Sequence, residues 1–229
     1  PDSLQTSDEI SNRLYNIFTQ AVIELKSGWA FTGGIGLNNH HTQILRTSVI
    51  PNIQFNSNYN VEWSPRLAVI KHLSKQWKLY GVVSKGFSPP SNAELLPSNS
   101  IINTDLQAEQ GWNYEIGVRS VLLNNRLQLS LNVYQFNLTN AIVQRRDGSG
   151  ADYFTNAGGT IQKGLELSGS YQVFERNDGL LKQLLIELGY TYSNYEYSEF
   201  KQLNNNYGGN NLPGIPLHYI TAGIHGNIK

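Results

Sequence analysis

The sequence predicts an all-β fold, an antiparallel up-and-down sheet that crosses a membrane as part of a β-barrel. Three observations support this prediction. Apolar and polar residues alternate along most of the 229-residue chain. Many of the alternating runs are roughly 12–20 residues long, whereas an ordinary strand has about 5–6 residues. The connections between the runs are alternately short and long. Together these features favour a membrane barrel over a soluble sandwich or propeller.

The alternation identifies the predicted strands. Between residues 127 and 133, for example, leucine and valine occupy every second position and polar residues occupy the others. A strand with this period has one apolar and one polar face. Helical periodicity is nearly absent, and its best candidate is residues 11–18. Nine strands are predicted, near residues 19–26, 29–43, 64–73, 76–87, 111–122, 126–145, 152–174, 183–197 and 217–228.

The connections alternate in length along the chain. Tight turns are predicted at Gly28 and at Asn124 and Asn125, because glycine and asparagine adopt the positive φ that hairpin turns require. Long polar segments separate these turns, at 44–62, 88–110 and 198–216. In an up-and-down barrel every second connection lies on the same side of the membrane. The pattern therefore places short turns on one side and long loops on the other.

The aromatic residues lie mostly toward the ends of the predicted strands, where amphipathic rings can rest at a membrane interface. Tryptophan occurs at 29, 63, 77 and 112. Cross-strand aromatic pairing in a soluble sheet is the alternative for this feature taken alone.

Composition excludes several classes of protein. The chain has no Cys, 17 basic and 17 acidic residues, and only 15% charged residues. Disulfide scaffolds, thiolate metal sites and thiol nucleophiles are therefore excluded, and nucleic acid is not an expected partner. The mean hydropathy is −0.37, and no apolar run approaches the length of a membrane-spanning helix. An odd number of strands leaves two open edges, which lipid does not tolerate, so residues 1–229 are expected to form part of a larger barrel.

Five segments carry a family resemblance. They are WSPRLA at 63–68, SKGFSPP at 84–90, DLQAE and WNYEIG within 105–117, NAG and KGLE within 156–166, and LPGIPLH at 212–218. The five segments occur in the family's order, one in each predicted hairpin. They resemble the β-barrel of TonB-dependent outer-membrane receptors, most closely the ferric-siderophore type. The resemblance runs from about residue 60 to residue 224. Ala108 departs from the pattern, since the family usually has proline there.

The resemblance implies a 22-stranded barrel in the bacterial outer membrane around an N-terminal plug. Such a receptor imports a scarce nutrient with energy from a TonB-type inner-membrane complex. The expected nutrient is a ferric siderophore, a substrate, with no cofactor. The plug and the C-terminal strands are expected to lie outside this chain. A glycan or cobalamin importer of the same superfamily and a non-transport barrel adhesin are the alternatives. No acid/base, nucleophile or metal arrangement has motif support, so neither an enzyme nor a metal site is predicted.

Charged residues on the polar faces of the strands are expected to point into the barrel lumen, toward the plug. These residues are Glu109, Glu115, Arg119 and Glu166. A lipid-facing position would cost about 2–4 kcal/mol for Arg or Lys at mid-membrane. Structural hydrogen bonds to the plug or to neighbouring strands are favoured over ligand contact. Gly117 and Gly164 are expected to allow close approach or barrel curvature.

Ligand contacts are expected among the long loops, and Arg145 and Arg146 are the best candidates. Two guanidinium groups at a loop rim can hold an anionic iron chelate of the carboxylate or hydroxamate kind. The alternatives are contact with lipopolysaccharide phosphate and a local ion pair with Asp147 or Asp152. Lipopolysaccharide and outer-membrane lipid are expected partners of the barrel wall in either case.

Overall fold

A computed structural model describes residues 6–97, 101–176, 179–202 and 205–228. Nearly all of these residues are in strands or in the connections between strands. The elements are β1 (Asp8–Glu24), β2 (Trp29–Arg46), β3 (Ile53–Asn58), β4 (Glu62–His72), β5 (Trp77–Ser88), α1 (Asn92–Leu95), β6 (Glu109–Leu122), β7 (Leu127–Thr139), β8 (Ile142–Arg146), β9 (Asp152–Asn156), β10 (Gly159–Glu175), β11 (Leu181–Glu199), β12 (Lys201–Gln202), β13 (Asn205–Asn206) and β14 (His218–Ile228). Within the described ranges no helix is long and apolar enough to cross a membrane.

The main sheet confirms the predicted up-and-down topology. Its strands run in the order β1-β2-β4-β5-β6-β7-β10-β11-β14, and β3 pairs with the end of β2. The nine strands along this path are 11 to 19 residues long. Every neighbouring pair is antiparallel. Strands of this length in a continuous meander are those of a membrane-spanning barrel wall.

The first strand is longer than predicted. It begins at Asp8, so residues 11–18, the best candidate for helical periodicity, lie in a strand. β1 pairs with β2 without interruption from Asp8 opposite Arg46 to Glu24 opposite Ala30. This continuous ladder outweighs the short local helical period, because tertiary pairing overrides weak intrinsic preference.

Two predicted strands each break in two. Residues 126–145 separate at Asn140, whose φ is +55°, into β7 and β8. Residues 152–174 separate at Gly158, whose φ is +86°, into β9 and β10. A left-handed residue turns the chain out of the ladder. As a result β8 and β9 form a two-stranded hairpin of their own, apart from the main sheet.

The two ends of the sheet differ, as predicted. The turn end carries the tight connections, in which Gly28, Asn124 and Asn125 have positive φ values of 81°, 55° and 70°. Leu123 also has a positive φ, 53°, which the sequence pattern did not predict. The loop end carries the long connections, at residues 47–61, 89–108, 140–158 and 200–217.

The two faces of the sheet differ in polarity. On the apolar face Ile116 pairs with Val133, and Val133 pairs with Leu165. Ile116 and Val133 are 66% and 45% exposed, as lipid-facing side chains would be. On the opposite, polar face Glu115 pairs with Tyr134. Aromatic rings lie at both ends of the apolar face, with Trp29 and Trp77 toward the turn end and Trp112 and Tyr114 toward the loop end.

Candidate functional site

The loop end contains a small hydrophobic core, here called the loop core. It consists of Ile44, Leu95 and Leu106, which are 1%, 0% and 2% exposed. Ile44 lies on the polar face of the sheet, because the alternation along β2 and the strand pairings place it on the side of Glu115. Leu95 and Leu106 come from the connection 89–108. That connection therefore folds inward over the polar face instead of extending away from the sheet.

Half-buried apolar residues from the same connection and from two others complete the loop core. They are Phe55, Leu96, Ile102, Ile142 and Phe154. The members come from β2 and β3, from the connection 89–108, and from the β8–β9 hairpin. Three long connections are thus packed into one unit.

Side-chain amides link the same connections. Asn156 Nδ2 donates to the carbonyls of Gln107 and Asn140 at 3.0 and 2.7 Å, and Asn156 Oδ1 accepts from the Gln107 amide at 2.7 Å. Asn103 Nδ2 donates to the Phe154 carbonyl at 2.8 Å. These bonds satisfy backbone groups that have no ladder partner, which gives the connections a defined shape.

The helix α1 is tied to the polar face of β1 and β2. Ser91 and Glu94 form a capping box at its first turn, which fixes the short helix. Asn12 Nδ2 in β1 donates to Asn92 Oδ1 at 3.1 Å. Thr42 Oγ1 in β2, a fully buried group, donates to Asn12 Oδ1 at 2.8 Å.

A stacked ring pair lies beside the loop core. The rings of His40 and Tyr59 are 5.2 Å apart and within 10° of parallel. Tyr59 is 8% exposed, and this burial raises the pKa of its hydroxyl. The buried ring packs against His40 and helps to hold the connection over the polar face.

A second cluster, here called the mouth cluster, consists of Arg145, Tyr197, Phe200 and Tyr207. The Tyr197 and Phe200 rings stack at 4.8 Å, and the Phe200 and Tyr207 rings are 5.7 Å apart. The Arg145 guanidinium lies 5.7 Å from the Phe200 ring centre. Tyr197 pairs with Thr160 and so lies on the polar face. A cation and three rings thus meet at the loop end.

The two arginines predicted to bind ligand are not brought together. Arg145 and Arg146 are successive residues of β8, so their side chains leave the strand on opposite sides. Arg146 Nε donates to Asp152 Oδ1 at 3.0 Å, with the arginine side chain 75% exposed. The predicted local ion pair with Asp152 is therefore present at Arg146. A ligand contact by either arginine stays a prediction.

The described residues contain no group of three or more His, Asp or Glu that could hold a metal ion. The arrangement at the loop end is suited to binding by stacking and charge.

The model of the TonB dependent receptor-like β-barrel matches residues 1–226. This chain belongs to the TonB-dependent receptor family. The predicted family, the barrel fold and the outer-membrane location are all confirmed.

Known receptors resemble the chain. It is 26% identical over 177 residues to the ferric-pyoverdine BN7/BN8 receptor of Pseudomonas putida, covering 74% of this chain and 20% of that receptor. It is 23% identical over 240 residues to an iron-regulated outer membrane virulence protein of Vibrio cholerae, covering 96% of this chain and 33% of that protein. The chain thus spans a fifth to a third of the length of these curated relatives.

A solved receptor shares the fold. The siderophore receptor PiuA from Acinetobacter baumannii superposes with a TM-score of 0.71 at 17% identity. The superposition covers 94% of this chain and 31% of PiuA. At this identity the likeness concerns the fold alone.

Three of the charged residues predicted to face the receptor lumen share the polar face. Glu115 accepts a hydrogen bond from Asn113 Nδ2, and the Arg119 guanidinium lies 5.2 Å from the Tyr80 ring centre. Glu166 lies opposite Asn132 in the neighbouring strand β7. Contact of these groups with a plug stays a prediction.

Glu109 has a structural hydrogen bond within the receptor wall. Its Oε1 accepts from the backbone N–H of Ile142 at 2.8 Å. The bond joins the beginning of β6 to the beginning of β8 and so fixes where the β8–β9 hairpin leaves the sheet. A structural hydrogen bond of this kind was predicted for Glu109, and its contact with a plug stays a prediction.

Gly117 and Gly164 permit close approach, as predicted, and the approaching groups are tyrosine rings. A Cβ on Gly117 would lie 2.4 Å from Tyr80 Cζ, and one on Gly164 would lie 2.4 Å from Tyr134 Cζ. The hydroxyls of Tyr134 and Tyr195 are hydrogen-bonded at 2.7 Å. Each ring lies flat over the adjacent strand, and the glycine provides the space.

Replacing Gly164 by alanine is expected to destabilise the receptor by about 1–3 kcal/mol, because the Tyr134 ring must move and strain its bond to Tyr195. Thermal unfolding of the receptor in detergent measures the effect. Gly86→Ala is the matched control, since a Cβ there meets no atom within 4 Å. Equal transition temperatures for the two variants would contradict this account of Gly164.

The tip of the β8–β9 hairpin is expected to loosen in acid. Hydrogen bonds to its carboxylate, first from the Ser149 hydroxyl and then from backbone amides, lower the pKa of Asp147. Because this pKa is lower in the folded state, the ionised carboxylate stabilises the turn at pH values above the ordinary pKa of Asp. The turn loses that stability as the pH falls through the lowered pKa. Amide exchange at Ser149 and Ala151, corrected for intrinsic rates, should rise in acid. The Asp147→Ala variant should exchange fast at every pH, and protection that persists in this variant would refute the assignment.

Proposed function

We propose that the receptor imports a ferric siderophore across the outer membrane by energy-coupled transport. The observation that carries the proposal is the mouth cluster, a guanidinium with three aromatic rings at the loop end of a receptor barrel. Support also comes from the relatives in sequence, one named a ferric-pyoverdine receptor and the other iron-regulated. The substrate would arrive from outside and meet these side chains first.

The chemistry of the mouth cluster suits an anionic, partly planar chelate. Guanidinium remains protonated at every physiological pH, presents paired donors to oxygen anions and also stacks on rings. Aromatic rings contribute contact area at low conformational cost. Iron chelates of catecholate and carboxylate type display oxygen atoms and net negative charge, and hydroxamate chelates display oxygen atoms around the iron. Arg145 would contact those oxygens while the rings contact the ligand backbone.

Energy for transport would come from a TonB-type inner-membrane complex acting through a plug. The relatives are about three to four times as long as this chain, which leaves room in such receptors for a plug and for further strands. Glu115, Arg119 and Glu166 are the groups we propose to face the plug. Lipid and lipopolysaccharide would surround the apolar face.

The test is iron uptake by a strain that lacks the receptor gene. Uptake of radiolabelled ferric hydroxamate, catecholate and carboxylate chelates is compared between the deletion strain and a strain carrying the restored gene. We expect at least one chelate to enter only when the gene is present, and we expect expression to rise when iron is scarce. Equal uptake in both strains for all chelates would refute siderophore import. Uptake of a glycan or cobalamin in its place would assign the receptor to another substrate class.

A further inference from the structure

A cavity of about 790 Å³ lies on the polar face of the sheet, between its middle and the turn end. The strands β2, β4, β5 and β6 provide most of its wall. Four basic side chains line it against a single carboxylate, that of Glu115. The basic residues are Arg66, Lys75, Lys78 and Arg119. The cavity therefore has a strongly positive lining.

Two of these cations form a like-charge pair across neighbouring strands. Lys78 in β5 lies directly opposite Arg119 in β6. Both point to the polar face, because Arg119 is four residues from Glu115 and Lys78 is four residues from Val82, the partner of Glu115. The Cβ atoms of such a pair are roughly 5 Å apart, and like charges in this position destabilise a sheet. An anion between the two cations would remove the repulsion.

No carboxylate of the described strands and connections forms an ion pair with these cations. The ion pairs of the described residues are Arg46 with Asp8, Lys85 with Glu62, Arg146 with Asp152 and His225 with Glu187. Arg119 contacts the Tyr80 ring, which has no net charge. The Glu115 carboxylate accepts from Asn113 Nδ2, on the loop side of Glu115, whereas Arg119 lies on its turn side. The positive charge of the cavity thus remains open to an anion from elsewhere.

The cations lie at successive depths of the wall. Arg66 is in the middle of β4, opposite Ser84. Lys78 is six residues nearer the turn end than Ser84, about 20 Å along β5. Lys75 follows in the turn between β4 and β5. With Arg145 at the loop end, positive groups occur from the outer mouth to the periplasmic end of the lumen.

The opposite sector of the lumen wall has a different lining. On the polar face β10, β11 and β14 contribute mainly small or hydroxyl-bearing residues, namely Ser168, Ser170, Gly189, Thr221 and Gly223. The carboxylate in that sector, Glu187, is paired with His225 at 2.8 Å. Positive charge is therefore concentrated on one side of the lumen, along β4, β5 and β6.

We infer that the cavity is a transient binding site for an anionic iron chelate on its way through the lumen, between the plug and the wall strands β4, β5 and β6. The inference rests on the proposed siderophore import. Ammonium and guanidinium groups donate to oxygen anions. The chelate would bind Arg145 at the mouth first, and then Lys78 and Arg119, whose mutual repulsion it relieves.

The test measures uptake and stability in Lys78→Gln, with the full-length receptor expressed from its native gene. The anionic probes are a radiolabelled ferric tris-catecholate and radiolabelled ferric citrate. We expect the maximal uptake rate to fall about tenfold, the factor for one hydrogen bond to a charged group. The concentration for half-maximal uptake should not change, because the mouth cluster is intact. Lys78→Arg, which keeps the charge, should retain the wild-type rate.

Thermal unfolding separates passage of the chelate from a structural role of Lys78. The Lys78→Gln receptor in detergent should unfold at the wild-type temperature or above it, because the like-charge pair is gone. Lys71→Gln is the matched control for uptake. Lys71 lies at the same turn end but on the apolar face, 4.8 Å from the Trp29 ring centre and bonded to Ser27 O. Its replacement should leave the uptake rate unchanged.

Three outcomes would overturn the inference while siderophore import stands. The first is an unchanged maximal rate in Lys78→Gln. The second is a lost rate together with a lower unfolding temperature, which would assign Lys78 to the stability of the wall or to contact with a plug carboxylate. The third is import of a neutral ferric trihydroxamate but of neither anionic chelate. Uptake of none of the three chelates by the wild type would refute siderophore import itself, and the inference with it.

Discussion

Replacing Leu95 by alanine is expected to destabilise the loop end by about 2–5 kcal/mol, the usual cost of removing a fully buried leucine side chain. Leu95 is 0% exposed and joins Leu106 to Ile44 of β2. Without it the connection 89–108 should detach from the polar face while the membrane-spanning ladders remain intact. Hydrogen exchange should therefore increase in 89–108 and in the β8–β9 hairpin but not in β6 or β7.

Ile101→Ala is the control for the Leu95 experiment. Ile101 belongs to the same connection but is 66% exposed, so its truncation should leave exchange nearly unchanged. If both variants exchange alike, or if the ladders of the main sheet open together with the connection, then the loop core is not an independently stabilised unit.

Replacing Arg145 by glutamine is expected to weaken uptake of the ferric chelate at low concentration by about ten- to hundredfold, the range for a lost hydrogen bond to a charged group. The ring stack of Tyr197 and Phe200 should persist, because it does not depend on the guanidinium. The concentration for half-maximal uptake should rise, and the maximal rate at saturating chelate should stay near wild type.

Arg146→Gln provides the comparison for Arg145. Arg146 points away from the mouth cluster and pairs with Asp152 at an exposed site, where an ion pair contributes little. We expect this variant to take up chelate almost like the wild type. A stronger defect in Arg146→Gln than in Arg145→Gln would move the binding surface to the outer side of the β8–β9 hairpin.

The sequence pattern predicted the sheet better than the strand ends. The alternation of Leu127, Leu129 and Leu131 identifies a strand because one face of it meets lipid. The same pattern continues past Asn140, so it could not reveal that this residue leaves the ladder with a positive φ. Asparagine tolerates that conformation but does not require it. The break became visible only with the pairing of β7 to its neighbours.

The site was the less predictable part. Leu95 and Leu106 lie in a polar segment without periodicity, and their partner Ile44 precedes them by 51 and 62 residues in the chain. Such long-range packing leaves no local signal. The pair Arg145 and Arg146 was found from residue type alone, whereas Phe200 was missed because its relation to Arg145 depends on how two separate loops meet.

The inward fold of the connection 89–108 has a consequence for the aperture of the receptor. The connection leaves β5 and returns at β6, yet its buried leucine packs on β2, two strand intervals away along the wall. It therefore spans an arc of about 10 Å of circumference at adjacent-strand spacing. A connection that packs across neighbouring strands in this way resists widening of the barrel rim between β2 and β6. Beyond β10 the next described contact between long connections is the mouth cluster, in which Arg145 of β8 lies 5.7 Å from the Phe200 ring centre.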